Sequence, residues 1–157
     1  MPALDNTMWL SIHVTLATLS VALFTIGAAV GVAFLVRDSA ERRPRVTGWR
    51  AGLPEAEKLE TMTYGIHIFA FPLWTFTLIT GAIWAEVAWG RYWGWDPKET
   101  WAFITWVFYA AHLHAQATAG WRGVRAAWFA LAGYAAFLFN FFGVNLWITG
   151  LHSYAGV

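Results

Sequence analysis

YGIHIFAFPLWTFTLITGAIWAEVAWGRYWGWDPKETW, residues 64–101, decides the fold. It opens as an apolar run, breaks at Gly90 into a short tract crowded with tryptophan, and restarts at Asp96-Pro97. A hydrocarbon core of about 30 Å takes about 20 mostly apolar helical residues to cross. The run from Tyr64 to Val87 meets that length. Asp before Pro is a helix-start pair, because proline has no N–H to leave unsatisfied and the acidic side chain caps the first turn. The stretch therefore reads as one membrane helix, an outer loop and the start of the next helix.

Three further runs of comparable character surround it, at about Met8–Val36, Trp101–Thr118 and Arg125–Ile148. The chain of 157 residues is 59% hydrophobic and only 12% charged, which removes it from ordinary water-soluble chains. The expected fold is all-α: an integral membrane bundle of four antiparallel transmembrane helices, spanning about 8–36, 64–87, 101–118 and 125–148, in a single domain of residues 1–157. Residues 37–63 form a connector and residues 88–101 a tryptophan-rich loop on the other side. Pro72 is expected to kink the second helix, and Gly27, Ala28, Ala29, Ala132 and Gly133 read either as points where helices approach closely or as plain apolar filling.

Positive charge sets the orientation, since cytoplasmic loops carry the excess of Lys and Arg. Arg37, Arg42, Arg43, Arg45, Arg50 and Lys58 lie in the connector and Arg122 and Arg125 between the third and fourth runs, whereas Arg91 and Lys98 alone lie in the tryptophan loop. Both termini and that loop are thus expected outside. The chain begins without a basic region and short apolar core ending in a cleavage site, so no removable signal peptide is read. The formal net charge of +1 offers nothing to nucleic acid, and no cysteine is present to supply a thiolate ligand or thiol nucleophile. Phosphate-binding glycine loops, Gly-x-Ser-x-Gly and His-Glu-x-x-His are absent as well.

Five histidines remain, and depth sorts them. An imidazole inside a membrane segment is costly enough to be a functional candidate. His13 lies about two turns into the first helix and His152 a few residues past the fourth, so both belong to the outer level. His114 follows Trp101 by about 20 Å of helix rise and belongs, with His67, to the inner level. His112 points about 160° away from His114 around a helix of 3.6 residues per turn. Taken singly, each histidine also reads as an imidazole bonded to a backbone carbonyl. A pair at equal height reads better as two axial ligands of a haem iron.

Trp9, Trp49, Trp121 and Trp147 fit the interfacial preference of indole. Trp89, Trp93, Trp95 and Trp101 are instead packed around Gly90, Gly94 and Pro97, where rigid aromatic faces can stack on a flat ligand. Arg91 and Lys98 read either as donors to carboxylates of that ligand or as members of loop salt bridges.

The tract Trp89-Gly-x-Tyr-Trp-x-Trp-Asp-Pro-Lys-Glu-Thr-Trp101 resembles the tryptophan-rich (WWD) signature of cytochrome c biogenesis proteins of the CcsA/ResC type. The likeness continues through Ile104-Thr-Trp106, Leu113-His114, Gly120-Trp-Arg-Gly123, Phe142-Gly-Val-Asn-Leu146 and Gly150-Leu-His-Ser-Tyr154. It implies a haem-handling subunit of a cytochrome c synthase, in a bacterial cytoplasmic or thylakoid-type membrane, with haem b as the bound group. His13 and His152 would be its outer axial ligands, and Trp89, Trp93, Trp95, Asp96 and Trp101 its outer surface. His114 would be an inner haem site, while His112 stands where family members often carry tyrosine. The implied partners are a ResB-type (Ccs-type) membrane protein, membrane lipid and an apocytochrome c bearing Cys-x-x-Cys-His. Two departures are visible: relatives of this type are usually longer, with additional helices ahead of this region, and Ala155 replaces the usual glycine after His-Ser-Tyr. The alternatives are a haem-delivery protein of the CcmC type and a haem-binding scaffold without synthase activity.

Overall fold

The computed structural model describes residues 7–148. Four long helical rods follow one another: α1 (Thr7–Glu41), α2 (Ala56–Trp89), α3 (Pro97–Ala117) and α4 (Val124–Leu138), the last continued by a π turn (Phe139–Gly143) and a final short α5 (Val144–Trp147). A 3₁₀ turn, Gly48–Gly52, lies between α1 and α2.

Side-chain pairs fix the direction of each helix. His13 meets Thr77 and Thr25 meets Tyr134, while His67 meets His112 and Lys98 reaches Asn140. Position advances along one helix as it recedes along the next, so α1 to α4 run alternately up and down. The core between them stacks Phe24 on Tyr109 with ring centroids 3.9 Å apart, and Trp74, Ala102, Ala130 and Phe137 close around that pair. A second cluster of Phe34, Ala56, Leu59 and Ala127 lies toward the arginine-rich end.

Large apolar side chains are also turned outward along these helices, among them Leu19, Ile26, Phe69, Phe76, Ile79 and Val107. A helix apolar both toward its neighbours and away from them suits hydrocarbon. Hydroxyls in such a helix must find partners within it: Ser20 donates to the Leu16 carbonyl and Thr77 to that of Leu73.

The structure differs from the expected bundle in three respects. Among the described residues, three helical stretches are long and apolar enough to cross a membrane: Met8–Glu41, Ala56–Trp89 and Val124–Trp147. Helix α3 has the length, 21 residues or about 31 Å, but Lys98, Glu99, His112, His114 and Gln116 lower its mean hydropathy. Helix α2 starts at Ala56, eight residues before the apolar run, because Ala56, Leu59 and Thr63 are buried and Glu41 accepts from the Ala56 N–H. The fourth apolar run is broken by the π turn, where the Val144 N–H reaches the Phe139 carbonyl.

Small residues act where close approach was expected. A Cβ on Gly133 would lie 3.0 Å from Tyr109 Cε2, and one on Gly27 would lie 2.8 Å from His67 Cδ2. Helix α2 runs on through Pro72 and stops at Gly90, whose φ of 71° gives the left-handed cap that returns its N–H to the Glu86 carbonyl.

Candidate haem-handling site

At the end of the bundle carrying the tryptophan loop, His13, Thr77, Gly81, Trp93, Lys98 and Asn140 border one cavity of about 280 Å³. It is small for a ligand pocket, with the size to admit an edge or substituent of a large flat molecule. All four long helices contribute to its wall, so it forms only in the assembled bundle.

His13 is held on α1 by a 2.9 Å bond between its Nδ1 and the Thr77 carbonyl of α2. A carbonyl only accepts, so Nδ1 carries the proton and the neutral ring keeps its lone pair on Nε2. This is the arrangement by which metal-ligating imidazoles are usually oriented. The ring stacks on Trp84 at 13° with centroids 6.4 Å apart. Gly81 makes room for it, since a Cβ there would lie 2.8 Å from His13 Nδ1.

Glu99 organises the loop above. Its carboxylate is 8% exposed and takes Arg91 at 3.1 Å, the Gly94 N–H at 2.8 Å and the Asp96 N–H at 3.2 Å. Asp96 in turn caps α3 by accepting from the Glu99 N–H, a reciprocal capping box with Pro97 in the first turn. Of the two readings open for Arg91, the structure thus shows the loop salt bridge.

The tryptophans are displayed rather than collapsed into one stack. Trp89 packs edge-on to Trp84, Trp93 edge-on to Trp95, and Trp95 edge-on to Phe103, while Trp101 tilts against Phe139 of the π turn. Trp95 is 62% exposed and takes φ 56°, a left-handed conformation uncommon for a large side chain and typical of positions held by function. His13 and Trp93 are brought together at the cavity, and Asp96 joins them through the loop it shapes. His152 lies outside the described residues.

The inner level is arranged by a pair the sequence did not single out. His67 Nδ1 and His112 Nε2 are 3.0 Å apart, with rings perpendicular and both fully buried, and His112 Nδ1 bonds the Ala126 carbonyl at 2.8 Å. The same carbonyl rule runs the protons one way: Nδ1–H of His112 donates to Ala126, and Nδ1–H of His67 donates to His112. His67 Nε2 is left buried with no hydrogen-bond partner, against Gly27. His114 stands apart, exposed on the other face of α3. Two features escaped the sequence reading: this pair, and the π turn that presents Asn140. The only signal for the first was two histidines at similar depth on different helices, and for the second an Asn and a Gly inside an apolar run.

Among the described residues no cluster of three or more His, Asp or Glu assembles a site for a bare metal ion. An imidazole oriented through Nδ1 beside aromatic rings is the kind of axial donor that an iron already held by a macrocycle asks of a protein. The described residues at this end therefore fit haem.

Residues 1–152 match the family described as cytochrome c assembly protein. The chain is 40% identical over 175 residues to the cytochrome c biogenesis protein CcsA of Prochlorococcus marinus (strain MIT 9515), covering 99% of this chain and 56% of that protein. To the protein of the same name from Guillardia theta it is 38% identical over 169 residues, covering 98% and 56%, and to that from Chlamydomonas reinhardtii 39% over 158 residues, covering 98% and 42%. The chain thus spans about half the length of the curated relatives it matches. With an apolar helical bundle, a tryptophan loop over an oriented histidine and a match along nearly its whole length, this chain belongs to the cytochrome c assembly protein family.

Proposed function

We propose that this chain is the haem-handling part of a cytochrome c synthase, holding haem b at the tryptophan-loop end and presenting it to apocytochrome c. The observation that carries the reading is His13: its Nδ1–H is committed to the Thr77 carbonyl, which orients the imidazole beside a cavity that Trp93 also borders. His152 is the second axial donor in this reading. Trp89, Trp93, Trp95 and Trp101 supply the aromatic surface, and Asp96 with Glu99 fixes the loop that carries them.

The bound porphyrin supplies vinyl groups, across which thiols of an acceptor's Cys-x-x-Cys-His segment add: each sulfur bonds one vinyl carbon and a proton goes to the other. The chain's share is to hold, orient and exclude water. The absence of cysteine here is consistent with an acceptor that brings both thiols. His114 is retained as an inner haem ligand, exposed on α3 and so positioned to face another protein, for which a ResB-type membrane partner is the proposed source. In this reading the tryptophan loop and both termini lie outside, as the arginine-rich connector on the opposite end favours.

The test is spectroscopic and then functional. Purified full chain in detergent, with any co-purifying membrane partner, is expected to show a haem absorption band and a pyridine-haemochrome signal, both weakened or shifted in His13→Ala and His152→Ala. Co-expression with an apocytochrome in cells lacking their own maturation system is expected to yield covalent haem. Haem bound without transfer would leave a haem scaffold, and no haem in any sample would remove the proposal.

A further inference from the structure

Among the described residues, Lys98 is the only Lys or Arg on the wall of the His13 cavity. Among the described residues no carboxylate lies within ion-pair distance of it: Glu99, which also lines the cavity, is taken by Arg91, and Asp96 acts on it only at longer range. Its ammonium is held by neutral groups, Asn145 Oδ1 at 2.6 Å and the Asn140 carbonyl at 3.4 Å, with the Phe141 ring 5.8 Å away. These partners come from one place, the π turn and the residues just after it, where the hydrogen-bond ladder of the fourth helix is shifted by one residue.

Two more polar atoms on the same cavity are unsatisfied. Trp93 Nε1, which can only donate, is buried with no acceptor, and Asn140, 5% exposed, has a buried Oδ1 with no donor. A half-turn of the Asn140 amide exchanges its oxygen for its two donor hydrogens. Buried polar groups cost free energy until a partner arrives, and a cation among neutral dipoles gains most from an anion. The oxygens of Glu99 on this wall are taken by Arg91 and the loop N–H groups, so what the cavity leaves unmet is a small anionic acceptor reachable by an ammonium, an indole N–H and an amide.

We propose that Lys98, Trp93 and Asn140 form a carboxylate subsite that takes a propionate group of the porphyrin, so that one substituent at the ligand's edge, rather than its flat face, fixes its rotation at His13. This rests on the haem-handling reading above. It gives the π turn a purpose: it places Asn140 and the carbonyl that steadies Lys98 at the level of His13.

The discriminating measurement compares haemin with haemin dimethyl ester, whose propionates carry no charge, by absorbance titration of the full chain in detergent. Wild type is expected to bind the diacid about tenfold or more tightly, the worth of one charge-assisted contact. Lys98→Met should bring that ratio close to one, and Trp93→Phe, which keeps an aromatic ring and loses the N–H, should lower it about threefold. Running both variants keeps the test intact if one fails to fold. A wild-type preference that persists unchanged in both overturns the subsite, as does a wild type that binds both ligands equally, the result expected if Lys98 serves an anionic lipid headgroup instead. A wild type that binds neither ligand overturns the haem-handling reading itself.

Discussion

Gly27→Ala and Gly65→Ala add the same methyl group to two helices, and the structure assigns them opposite signs. At Gly27 the new Cβ would lie 2.8 Å from His67 Cδ2 and 3.1 Å from Cε1, against an ordinary carbon–carbon contact of about 3.5–4.0 Å. The imidazole has little room to retreat: Tyr109 packs edge-on at 5.0 Å and His112 stands perpendicular, joined to it by the 3.0 Å bond. Overpacking of a filled core costs about 1–3 kcal/mol, and breaking the imidazole bond about 0.5–1.5 kcal/mol more. The gain in helix propensity returns about 1 kcal/mol. The net is a loss of roughly 0.5–3.5 kcal/mol. At Gly65, also helical but on the outer face of α2, a Cβ meets nothing within 4 Å, so only the gain of up to about 1 kcal/mol remains. Reversible unfolding in mixed micelles by added dodecyl sulfate, followed by far-UV circular dichroism, measures both. In a His67→Ala background the Gly27 penalty should vanish, because the ring that opposes the methyl is gone. A Gly27→Ala protein as stable as wild type, or a penalty that survives in full without His67, would refute the packing described here.

Gly81→Ala should act on haem without acting on the helix. Its Cβ would lie 2.8 Å from both Nδ1 and Cε1 of His13, so the ring is expected to leave the Thr77 carbonyl, and the haem band to weaken as in His13→Ala while circular dichroism stays the same. A Gly81→Ala protein with an unaltered spectrum would separate His13 from the iron. Glu99→Gln keeps the side chain's size and removes its charge from Arg91, costing about 1–2 kcal/mol after allowance for Arg91 being 31% exposed. The loop should then open to trypsin at Arg91 and shift the emission of Trp93 and Trp95; an unchanged cleavage rate would show that Glu99 does not hold the loop.

Some of this was legible one residue at a time. The capping pair Asp96-Pro97, the turn residue Gly90 and the apolar runs depend on neighbours within a turn or two, so residues 64–101 announce a helix, a loop and a helix start. The level of His13 followed from rise per residue alone. Other features had no local signature. Helix α2 reaches back to Ala56 because its polar first turns cover Phe34 and Ala127, residues distant in sequence. Arg91 and Lys98 looked alike in the sequence, yet one is closed by Glu99 and the other held by Asn145 just past the π turn of the neighbouring helix.

The histidines show where the division falls. Sequence by itself determined that the chain is an apolar helical bundle with imidazoles at two depths and a tryptophan loop between helices, because hydropathy and helical period are properties of consecutive residues. Only the tertiary structure decided which nitrogen of His13 carries the proton, that His67 pairs with His112 rather than with His114, and that Trp93, Lys98 and Asn140 share one cavity with His13. Those outcomes depend on which carbonyl or side chain a different helix brings within hydrogen-bond distance, and no spacing along a single chain encodes that.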